Sequence, residues 1–443
     1  MKQILDQVPV YKNICGQLKN DINDTYRFSK HCLNIKCEDG ELFFHTLTGE
    51  LILFENNESI NDYKDILVRN FFLVSKHFDE NEYADEIKKI AFLLKSNSDV
   101  KDHFTILTTT FCNARCFYCY EMGRKRINMS ENVAMDVGRY ISNACKGREV
   151  SLKWFGGEPL YNHKAISIII EELKKNGILF SSSIISNGFY FTSELSYKAK
   201  NEWNLNDIQI TIDGTKDIYN RIKAYIDTCK NPFERVLNNI ETALDIGINV
   251  FIRLNVDKRN SDDLMDVIDL LGKRFENRDN CKIEAVFLRP FVGEVSKFDK
   301  EDAAADCYFA LMDKAKSYNI ANEKPLFRDL QVNHCMADND SCEVILPDGK
   351  IGKCEHFSET EFIGDIYSSY RDQEMIESWK KRLTSKEMPE CNDCSLYPRC
   401  INLEKCVWNN KGCSKIDRII KTGRLKQKVL DEYYIWKQIK NEL

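Results

Sequence analysis

Three closely spaced cysteines are the clearest sign of chemistry in this sequence. Cys112, Cys116 and Cys119 follow a C-x3-C-x2-C pattern within one predicted loop. Three thiolates on one loop can hold three irons of a four-iron cubane and leave the fourth iron open to a chelating small molecule. A zinc knuckle would need a fourth ligand, and the nearest histidine, His103, precedes the strand that leads into the loop. The spacing therefore favours an open iron–sulfur cluster over zinc.

A Gly-Gly-Glu-Pro turn ends the next predicted strand. Gly156 and Gly157 would let the backbone approach a ligand closely. The neighbouring Glu158 carboxylate could hold an ammonium group. In α/β barrels, ligands bind at the carboxyl ends of the strands, where this turn and the cysteine loop are both predicted to lie. The two motifs are therefore expected to border one site.

A second field of cysteines lies towards the end of the sequence. Its members are Cys335, Cys342, Cys354, Cys391, Cys394, Cys400, Cys406 and Cys413. Eight thiols are the number that two fully ligated four-iron clusters need. Cys391-x2-Cys394 is also a common zinc half-site, so spacing alone leaves a pair of zinc ribbons open. The remaining seven of the 18 cysteines are scattered, which is typical of buried free thiols.

The composition excludes several classes of protein. The 443 residues carry 63 basic and 69 acidic side chains, a net charge of −6, so no nucleic-acid partner is expected. No run of about 18 apolar residues and no signal-peptide core is present, so neither a membrane partner nor export is expected. A cytoplasmic location would keep thiols reduced, and clustered cysteines then indicate metal ligands and not a disulfide framework.

Alternating strands and helices must position the cysteine loop. The predicted strands of this region are Phe104–Leu107, Val150–Trp154, Ser183–Ile185, Ile208–Ile212, Asn249–Asn255 and Ile283–Leu288. The helical segments between them include Val133–Asn143, Ile166–Lys175, Phe233–Leu244 and Asp262–Leu271. The alternation predicts an α/β fold with a parallel sheet of right-handed βαβ units. An open doubly wound sheet and a partial barrel both fit the pattern.

The α/β region is predicted to be one of four parts of the chain. These are a small α+β module (1–99), the α/β core (100–330), a cysteine-rich domain (331–418) and a C-terminal helix (419–443). In the first module, Glu41–His45 and Glu50–Phe54 predict a hairpin, and residues 60–95 carry helical apolar spacing. The last helix is expected to pack against the protein, with a partner surface as the alternative.

The cysteine triad, with an aromatic residue before its last member, and the Gly-Gly-Glu-Pro turn together resemble the radical S-adenosylmethionine (radical SAM) enzymes. The resemblance implies a partial (β/α)6 TIM-like barrel and a [4Fe–4S] cluster on Cys112, Cys116 and Cys119. SAM would chelate the fourth iron, and reduction would cleave it to a 5′-deoxyadenosyl radical that abstracts a substrate hydrogen. An external electron donor such as flavodoxin or ferredoxin is implied as well.

The resemblance also assigns side chains to SAM. The positions that match are Gly156, Gly157, Glu158, Ser186, Asn187, Thr211 and Asp213. Relatives often have a His-Asp-x-x-Arg motif after the Asp-Gly pair, with its arginine near the SAM carboxylate. This sequence departs from that motif and has Tyr219–Lys223 there, so Arg221 or Lys223 is the expected substitute.

Beside a radical SAM core, the eight later cysteines resemble the SPASM extension, which carries two auxiliary [4Fe–4S] clusters. The first cluster would be held by Cys335, Cys342, Cys354 and Cys406, and the second by Cys391, Cys394, Cys400 and Cys413. The resemblance thus implies three [4Fe–4S] clusters in all. Alternatively, Cys335 is a non-ligand and leaves an iron open to a substrate thiolate. The spacing from Cys400 to Cys406 is longer than the usual pattern.

Glu355 directly follows Cys354. In sulfatase-maturing relatives, an aspartate at the matching position serves as a base. Glu355 is therefore the candidate catalytic base, for a substrate thiol or a Cα proton. The alternative is an exposed carboxylate in a loop.

The first module points to the substrate. It resembles the peptide-recognition domains of enzymes that modify ribosomal peptides, which add a leader peptide as a strand to a sheet edge. A structural cap on the barrel is the alternative. The sequence therefore predicts a maturase that forms thioether cross-links in a ribosomally made precursor peptide. Formylglycine generation and carbon–carbon cross-linking are alternative reactions, and a polyferredoxin-like carrier or a zinc-ribbon binding module is the alternative outside enzymes.

Overall fold

The structure is a computed structural model of the chain. It describes residues 1–8, 25–95, 100–288, 298–323, 325–326, 328, 335–356, 360–400, 403–406 and 413–442. All eleven predicted cluster cysteines lie within these ranges, whereas the scattered Cys15 lies outside them.

Strands and helices alternate through the middle of the chain, and short strands precede and follow this region. The strands are β1 (Lys2–Leu5), β2 (Tyr26–Phe28), β3 (Cys32–Cys37), β4 (Gly40–His45), β5 (Leu51–Glu55), β6 (Leu73–Ser75), β7 (His103–Thr109), β8 (Val150–Gly156), β9 (Phe180–Ser186), β10 (Leu205–Thr211), β11 (Asn249–Val256), β12 (Cys281–Phe287), β13 (Cys342–Ile345), β14 (Lys350–Gly352) and β15 (Phe362–Asp365). The helices are α1 (Lys64–Arg69), α2 (Glu80–Lys95), α3 (Glu131–Ala144), α4 (His163–Lys175), α5 (Ser193–Glu202), α6 (Lys216–Lys223), α7 (Pro232–Asp245), α8 (Ser261–Phe275), α9 (Glu301–Ser317), α10 (Gln373–Lys380) and α11 (Lys415–Glu442).

The chain divides into two compact units that are each built from separate stretches of sequence. The first unit comprises Met1–Ser96, Glu323–Cys335 and Lys381–Leu443. The second comprises Asn97–Asn322 and Met336–Lys380. The amino-terminal module and the last part of the cysteine field therefore share one unit.

The second unit is built on a sheet with the order β12-β11-β10-β9-β8-β7-β13-β14-β15. Strands β7 to β12 are parallel and follow each other in chain order. A doubly wound sheet would instead reverse its strand order at a switch point. The sheet is therefore that of a partial barrel, and the predicted α/β fold is confirmed.

The helices around this sheet follow from local sequence signals. In α7, Pro232 occupies the first turn, where a missing N–H costs nothing, and the Asn231 side chain accepts a hydrogen bond from the Glu234 N–H (3.4 Å). Val236 and Ile240, four residues apart, lie on the buried face of that helix. Among the helices of the described ranges, none combines the length and apolar composition that a membrane crossing requires.

The first unit contains an antiparallel sheet with the order β1-β5-β4-β3. Strands β4 and β5 form the predicted hairpin. One face of the sheet, which includes Phe44 and Leu53, packs on Val429 and Tyr433 of helix α11. The other face, which includes Phe43, packs on α1. The C-terminal helix, which was expected to pack against the protein, thus packs on this sheet.

The segment 60–95 was predicted to be helical, and this is wrong for its middle part. Strand β6 lies between α1 and α2 and pairs antiparallel with β2, where Arg27 lies opposite Val74. A three-residue strand is too short to show a period of two, and its partner is more than 40 residues earlier in the chain. Local periodicity therefore could not indicate it.

Two buried histidines make the first unit sensitive to acid. Burial lowers the pKa of His45 to about 3 and holds the pKa of His31 well below its ordinary value. Below pH 6.5 the unfolded chain takes up protons that the folded chain does not, so stability is highest above 6.5 and falls as the pH falls. We expect the loss to approach roughly 1.4 kcal/mol per pH unit for each histidine as the pH falls below about 6.5, measured by chemical denaturation between pH 7.5 and 5.

The His45→Gln variant should show a shallower loss of stability over this range. His77 is exposed, so His77→Gln is the matched control and should keep the wild-type slope. Equal slopes of the free energy of unfolding against pH in the wild-type protein and both variants would contradict the assignment of the acid sensitivity to His45.

Candidate functional site

The cysteine loop starts directly after β7. Cys112, Cys116 and Cys119 are half-buried and line a cavity of about 90 Å³. Burial raises the pKa of Cys112 to about 12 and that of Cys119 to about 11. Burial therefore keeps these thiols protonated near neutral pH unless a cation such as a metal ion binds them. Three cationic side chains line the same cavity, Arg115, Arg124 and Arg126.

A four-iron cluster and a zinc ion place different demands on these three thiols. A zinc site holds four ligands about 2.0–2.3 Å from one centre. Within the described ranges, no three His, Cys, Asp or Glu side chains are placed to hold a single metal ion. In a cubane, by contrast, each thiolate binds a different iron. Three thiols that share a cavity therefore fit a four-iron cluster with one open iron.

The two glycines after β8 are required by a close approach of backbone to backbone. Gly156 has φ +130°, and a Cβ at this residue would lie 2.1 Å from the Thr109 carbonyl oxygen. A Cβ at Gly157 would lie 2.3 Å from the carbonyl oxygen of Phe111. The Gly157 N–H donates to the Thr109 carbonyl (3.0 Å), and the Glu158 N–H donates to that of Phe111 (2.8 Å). The turn is thus fixed to the start of the cysteine loop.

The Glu158 carboxylate contacts two of the other residues predicted to bind SAM. It is fully buried, and one oxygen accepts hydrogen bonds from the Ser186 hydroxyl (2.8 Å) and the Leu160 N–H (3.2 Å). The other oxygen accepts from the Asn187 N–H (2.8 Å). Burial raises the Glu158 pKa to about 7, although these hydrogen bonds oppose the shift. The carboxylate therefore holds the turns after β8 and β9 together.

The turn after β9 also contacts the cysteine loop. The Asn187 side-chain amide donates to the Asn113 Oδ1 atom (2.8 Å) and lies 3.9 Å from the Cys112 sulfur. A hydrogen bond to a cluster sulfur is one of the interactions that set a cluster's potential. Asn113 has no special spacing in the sequence, and only its position between Cys112 and Cys116 could have indicated its role.

A buried ion pair lies at the ends of β10 and α6. The Lys223 ammonium is 2.9 Å from Asp213 Oδ2, and both side chains are at most 2% exposed. The Tyr118 hydroxyl donates to the same Asp213 oxygen (2.9 Å) and lies 3.3 Å from Lys223. Burial alone would lower the Lys223 pKa, but Asp213 raises it well above its ordinary value. Lys223 is therefore a cation that holds the aromatic residue of the cysteine loop.

The remaining predicted SAM contacts are placed differently. Arg221 is exposed on α6, so only Lys223 of the two candidate substitutes is brought to the cysteine loop. Thr211 is the last residue of β10 and pairs with Arg253 of β11. Asp213 receives a further hydrogen bond from the Asn255 side chain (3.0 Å), a residue that sequence patterns did not single out.

The predicted base, Glu355, lies near the cysteine loop. Arg124 donates hydrogen bonds to the main-chain carbonyls of Glu355 (3.2 Å) and His356 (2.5 Å). The His356 ring lies 4.0 Å from the Tyr120 ring, measured between centroids. Because Arg124 also lines the cavity of Cys119, one side chain connects the predicted base with the predicted cluster.

The four cysteines assigned to the first auxiliary cluster occur in both units. Cys342 begins β13 and Cys354 follows β14, and the buried Lys353 donates to the Cys342 carbonyl (2.8 Å). Cys335 and Cys406 belong to the first unit. Their shared role in one cluster stays a prediction.

The four cysteines assigned to the second auxiliary cluster are brought together. We name Cys391, Cys394, Cys400 and Cys413 the second cysteine set; they pack in one apolar cluster of the first unit. Burial raises the pKa of Cys391 to about 12 and that of Cys413 to about 11, and the neighbouring thiols act in the same direction. Four thiols in one apolar environment fit a fully ligated four-iron cluster.

Comparison with known families agrees with the resemblance of the α/β core to radical SAM enzymes. Residues 106–271 match the family model of the Radical SAM superfamily. The chain is similar to a probable GTP 3′,8-cyclase of Methanocaldococcus jannaschii, with 28% identity over 172 residues. That alignment covers 38% of this chain and 55% of the relative, so the chain spans about half the length of that curated relative.

Two solved structures share the fold over most of this chain. anSMEcpe with bound AdoMet has a TM-score of 0.56 at 16% identity and is similar over 76% of this chain and 99% of its own. SuiB of Streptococcus suis, bound to precursor peptide SuiA, has a TM-score of 0.51 at 13% identity, over 86% of this chain and 95% of its own. With the cysteine loop after the first strand of a partial barrel, these findings show that residues 106–271 of this chain are similar to the Radical SAM superfamily.

Proposed function

We propose that this protein is a radical SAM maturase that forms thioether cross-links in a ribosomally made precursor peptide. The observation that carries the proposal is that the radical SAM core is accompanied by an antiparallel module and that this module shares one compact unit with the last part of the cysteine field. The fold as a whole is similar to that of SuiB, which was solved with a precursor peptide. A carrier of electrons alone would need neither the SAM site nor the module.

Three [4Fe–4S] clusters and SAM are the proposed cofactors. When bound to the open iron of the first cluster and reduced by an external donor such as flavodoxin or ferredoxin, SAM supplies a 5′-deoxyadenosyl radical that removes a hydrogen atom from carbon. The chain's own residues position this chemistry: Glu158 holds the turns after β8 and β9, and Lys223 with Asp213 holds Tyr118.

The proposed reaction balances if the auxiliary clusters take up an electron. The acceptor carbon would lose a hydrogen atom, the peptide thiol would lose a proton and the C–S bond would form, which would leave one electron for an auxiliary cluster held by the later cysteines. Glu355 is the proposed acceptor of the thiol proton because Arg124 holds its main chain beside the cysteine loop. The product therefore lacks two hydrogen atoms for each bridge.

The first module is proposed to bind the leader of the precursor. In its sheet, β1 and β3 are the edge strands within the described residues. An edge strand presents unpaired backbone groups to an incoming strand, which gives affinity for an extended peptide. A short cysteine-containing open reading frame next to the gene would supply the candidate precursor.

The test is reconstitution with that peptide. Anaerobically reconstituted protein should hold about 12 irons per chain, four in each of three clusters. Incubation with SAM, dithionite and the precursor should give a peptide that lacks two hydrogen atoms for each bridge and whose bridged cysteines no longer react with iodoacetamide. Loss of two hydrogens with all thiols still reactive would favour carbon–carbon cross-linking, and reaction with a hydrazide would favour formylglycine.

A further inference from the structure

Helix α2 of the first module packs directly on the second cysteine set. Ala84, which is fully buried, belongs to the same apolar cluster as Cys391, Cys400 and Tyr397. One residue later, Asp85 accepts hydrogen bonds from the Ser385 hydroxyl (2.8 Å) and from the Tyr397 hydroxyl. The module therefore forms part of the wall around these four thiols.

Two lysines of the module place their ammonium groups in this wall. Lys30 donates to the main-chain carbonyls of Cys391 (3.3 Å) and Asn392 (3.2 Å). Lys88 is 4% exposed, donates to the Leu383 carbonyl (3.3 Å) and lies 4.9 Å from the centroid of the Tyr397 ring. The same ring is 5.6 Å from Lys30, so the two cations lie on a shared aromatic residue.

Both charges act on the thiols of the set. Burial lowers the pKa of Lys88 to about 8 and that of Lys30 below its ordinary value. Negative charge on Cys400 and Cys391 opposes the shift at Lys88. Negative charge on Cys394 and Cys391 opposes it at Lys30, so both lysines lie within electrostatic reach of the set. A cluster gains negative charge when it is reduced, and a fixed cation in a poorly hydrated wall stabilises the reduced form more than the oxidised one. Water screens such an interaction at the surface, but Lys88 is buried.

We propose that Lys30 and Lys88 raise the reduction potential of the [4Fe–4S] cluster on the second cysteine set, so that the peptide-binding module also tunes the electron acceptor. The inference rests on the proposed function, because it requires iron at these thiols. Lys30 and Lys88 contact the cluster's protein shell and are tuning residues. They have no place in the chemistry at the first cluster.

The test is an EPR-monitored redox titration of full-length, reconstituted protein carrying alanine at Cys112, Cys116 and Cys119, so that only auxiliary clusters contribute. In Lys88→Met we expect the EPR signal of one of the two auxiliary clusters, the affected component, to titrate at a more negative potential. At a fixed solution potential, the ratio of reduced to oxidised cluster should be roughly tenfold lower, which corresponds to about 59 mV for a one-electron couple. Lys30→Met should shift the same component in the same direction.

The matched control is Lys89→Met. Lys89 is the next residue on α2, it is exposed, and it pairs with Glu86 on the surface, so its loss should leave both components unchanged. Lys88→Arg keeps the charge and should restore most of the wild-type potential. If Lys88→Met does not retain iron, the redox titration of Lys30→Met tests the inference in its place, because Lys30 is only half-buried.

Two outcomes overturn the inference separately from the proposed function. Unchanged potentials in Lys88→Met and Lys30→Met, with full iron content, would show that the lysines do not tune the cluster. An equal shift of both components, or a shift in Lys89→Met of the same size, would point to a general effect of net charge. Zinc in place of iron at these thiols would instead contradict the proposed auxiliary cluster itself.

Discussion

Replacing Cys116 by alanine is expected to abolish the release of 5′-deoxyadenosine from SAM under reducing conditions. The loop offers three thiols to the cluster, so the variant would leave two irons without a protein ligand and the cluster would not be retained. The same result is expected for Cys112→Ala and Cys119→Ala. The measurement is chromatography of the reaction mixture after incubation of reconstituted protein with SAM and dithionite.

Cys229→Ala is the matched control for the triad. Cys229 belongs to the same unit, is half-buried, and is one of the scattered cysteines without a proposed ligand role. Its loss should leave iron content and 5′-deoxyadenosine release at the level of the wild-type protein. Release that persisted in the Cys116→Ala protein would contradict the open-cluster assignment of the loop.

Replacing Lys223 by methionine is expected to have the largest effect on stability. The substitution leaves the Asp213 carboxylate buried without its cation, and removal of one partner of a buried pair costs roughly 3–5 kcal/mol of the free energy of unfolding. Tyr118 donates to the same carboxylate, so the cysteine loop should lose order as well. The measurements are chemical denaturation under anaerobic conditions and iron content after reconstitution.

A double variant separates the cost of the unpaired charge from other effects. Lys223→Met combined with Asp213→Leu removes both charges, so it should recover much of the stability that the single variant loses. Arg221→Met is the surface control, because Arg221 is exposed on the same helix, and it should change the free energy of unfolding by at most about 0.5 kcal/mol. A larger rise in the KM for SAM in Arg221→Met than in Lys223→Arg would instead assign the SAM carboxylate to Arg221.

The features that could be predicted from the sequence are those that depend on local spacing. The C-x3-C-x2-C pattern placed the cysteine loop, and six apolar strands separated by helices placed the parallel sheet. The order of the strands was open, because an apolar run does not indicate its neighbours in the sheet. The hairpin of β4 and β5 could be predicted because its two strands are joined by a short turn.

The features that could not be predicted depend on contacts between distant parts of the chain. Glu158 was expected to hold a ligand's ammonium group, and the structure shows its carboxylate accepting hydrogen bonds from Ser186 and Asn187. Lys88 lies about 300 residues before Cys391 and has the spacing of an ordinary helix residue. Only the tertiary fold brings it to the thiols, so no pattern in the sequence could indicate it.

The division of the first unit between the two ends of the chain has a consequence for synthesis. The sheet face that contains Phe44 is covered by Val429 and Tyr433, which a ribosome adds roughly 20–80 s later at 5–20 residues per second. During that interval this face lacks the cover of the C-terminal helix, while residues 97–322 and 336–380 of the second unit are synthesised. All residues of the second unit are thus synthesised before the helix that covers the sheet of the first module, so the second unit can fold before that sheet is covered.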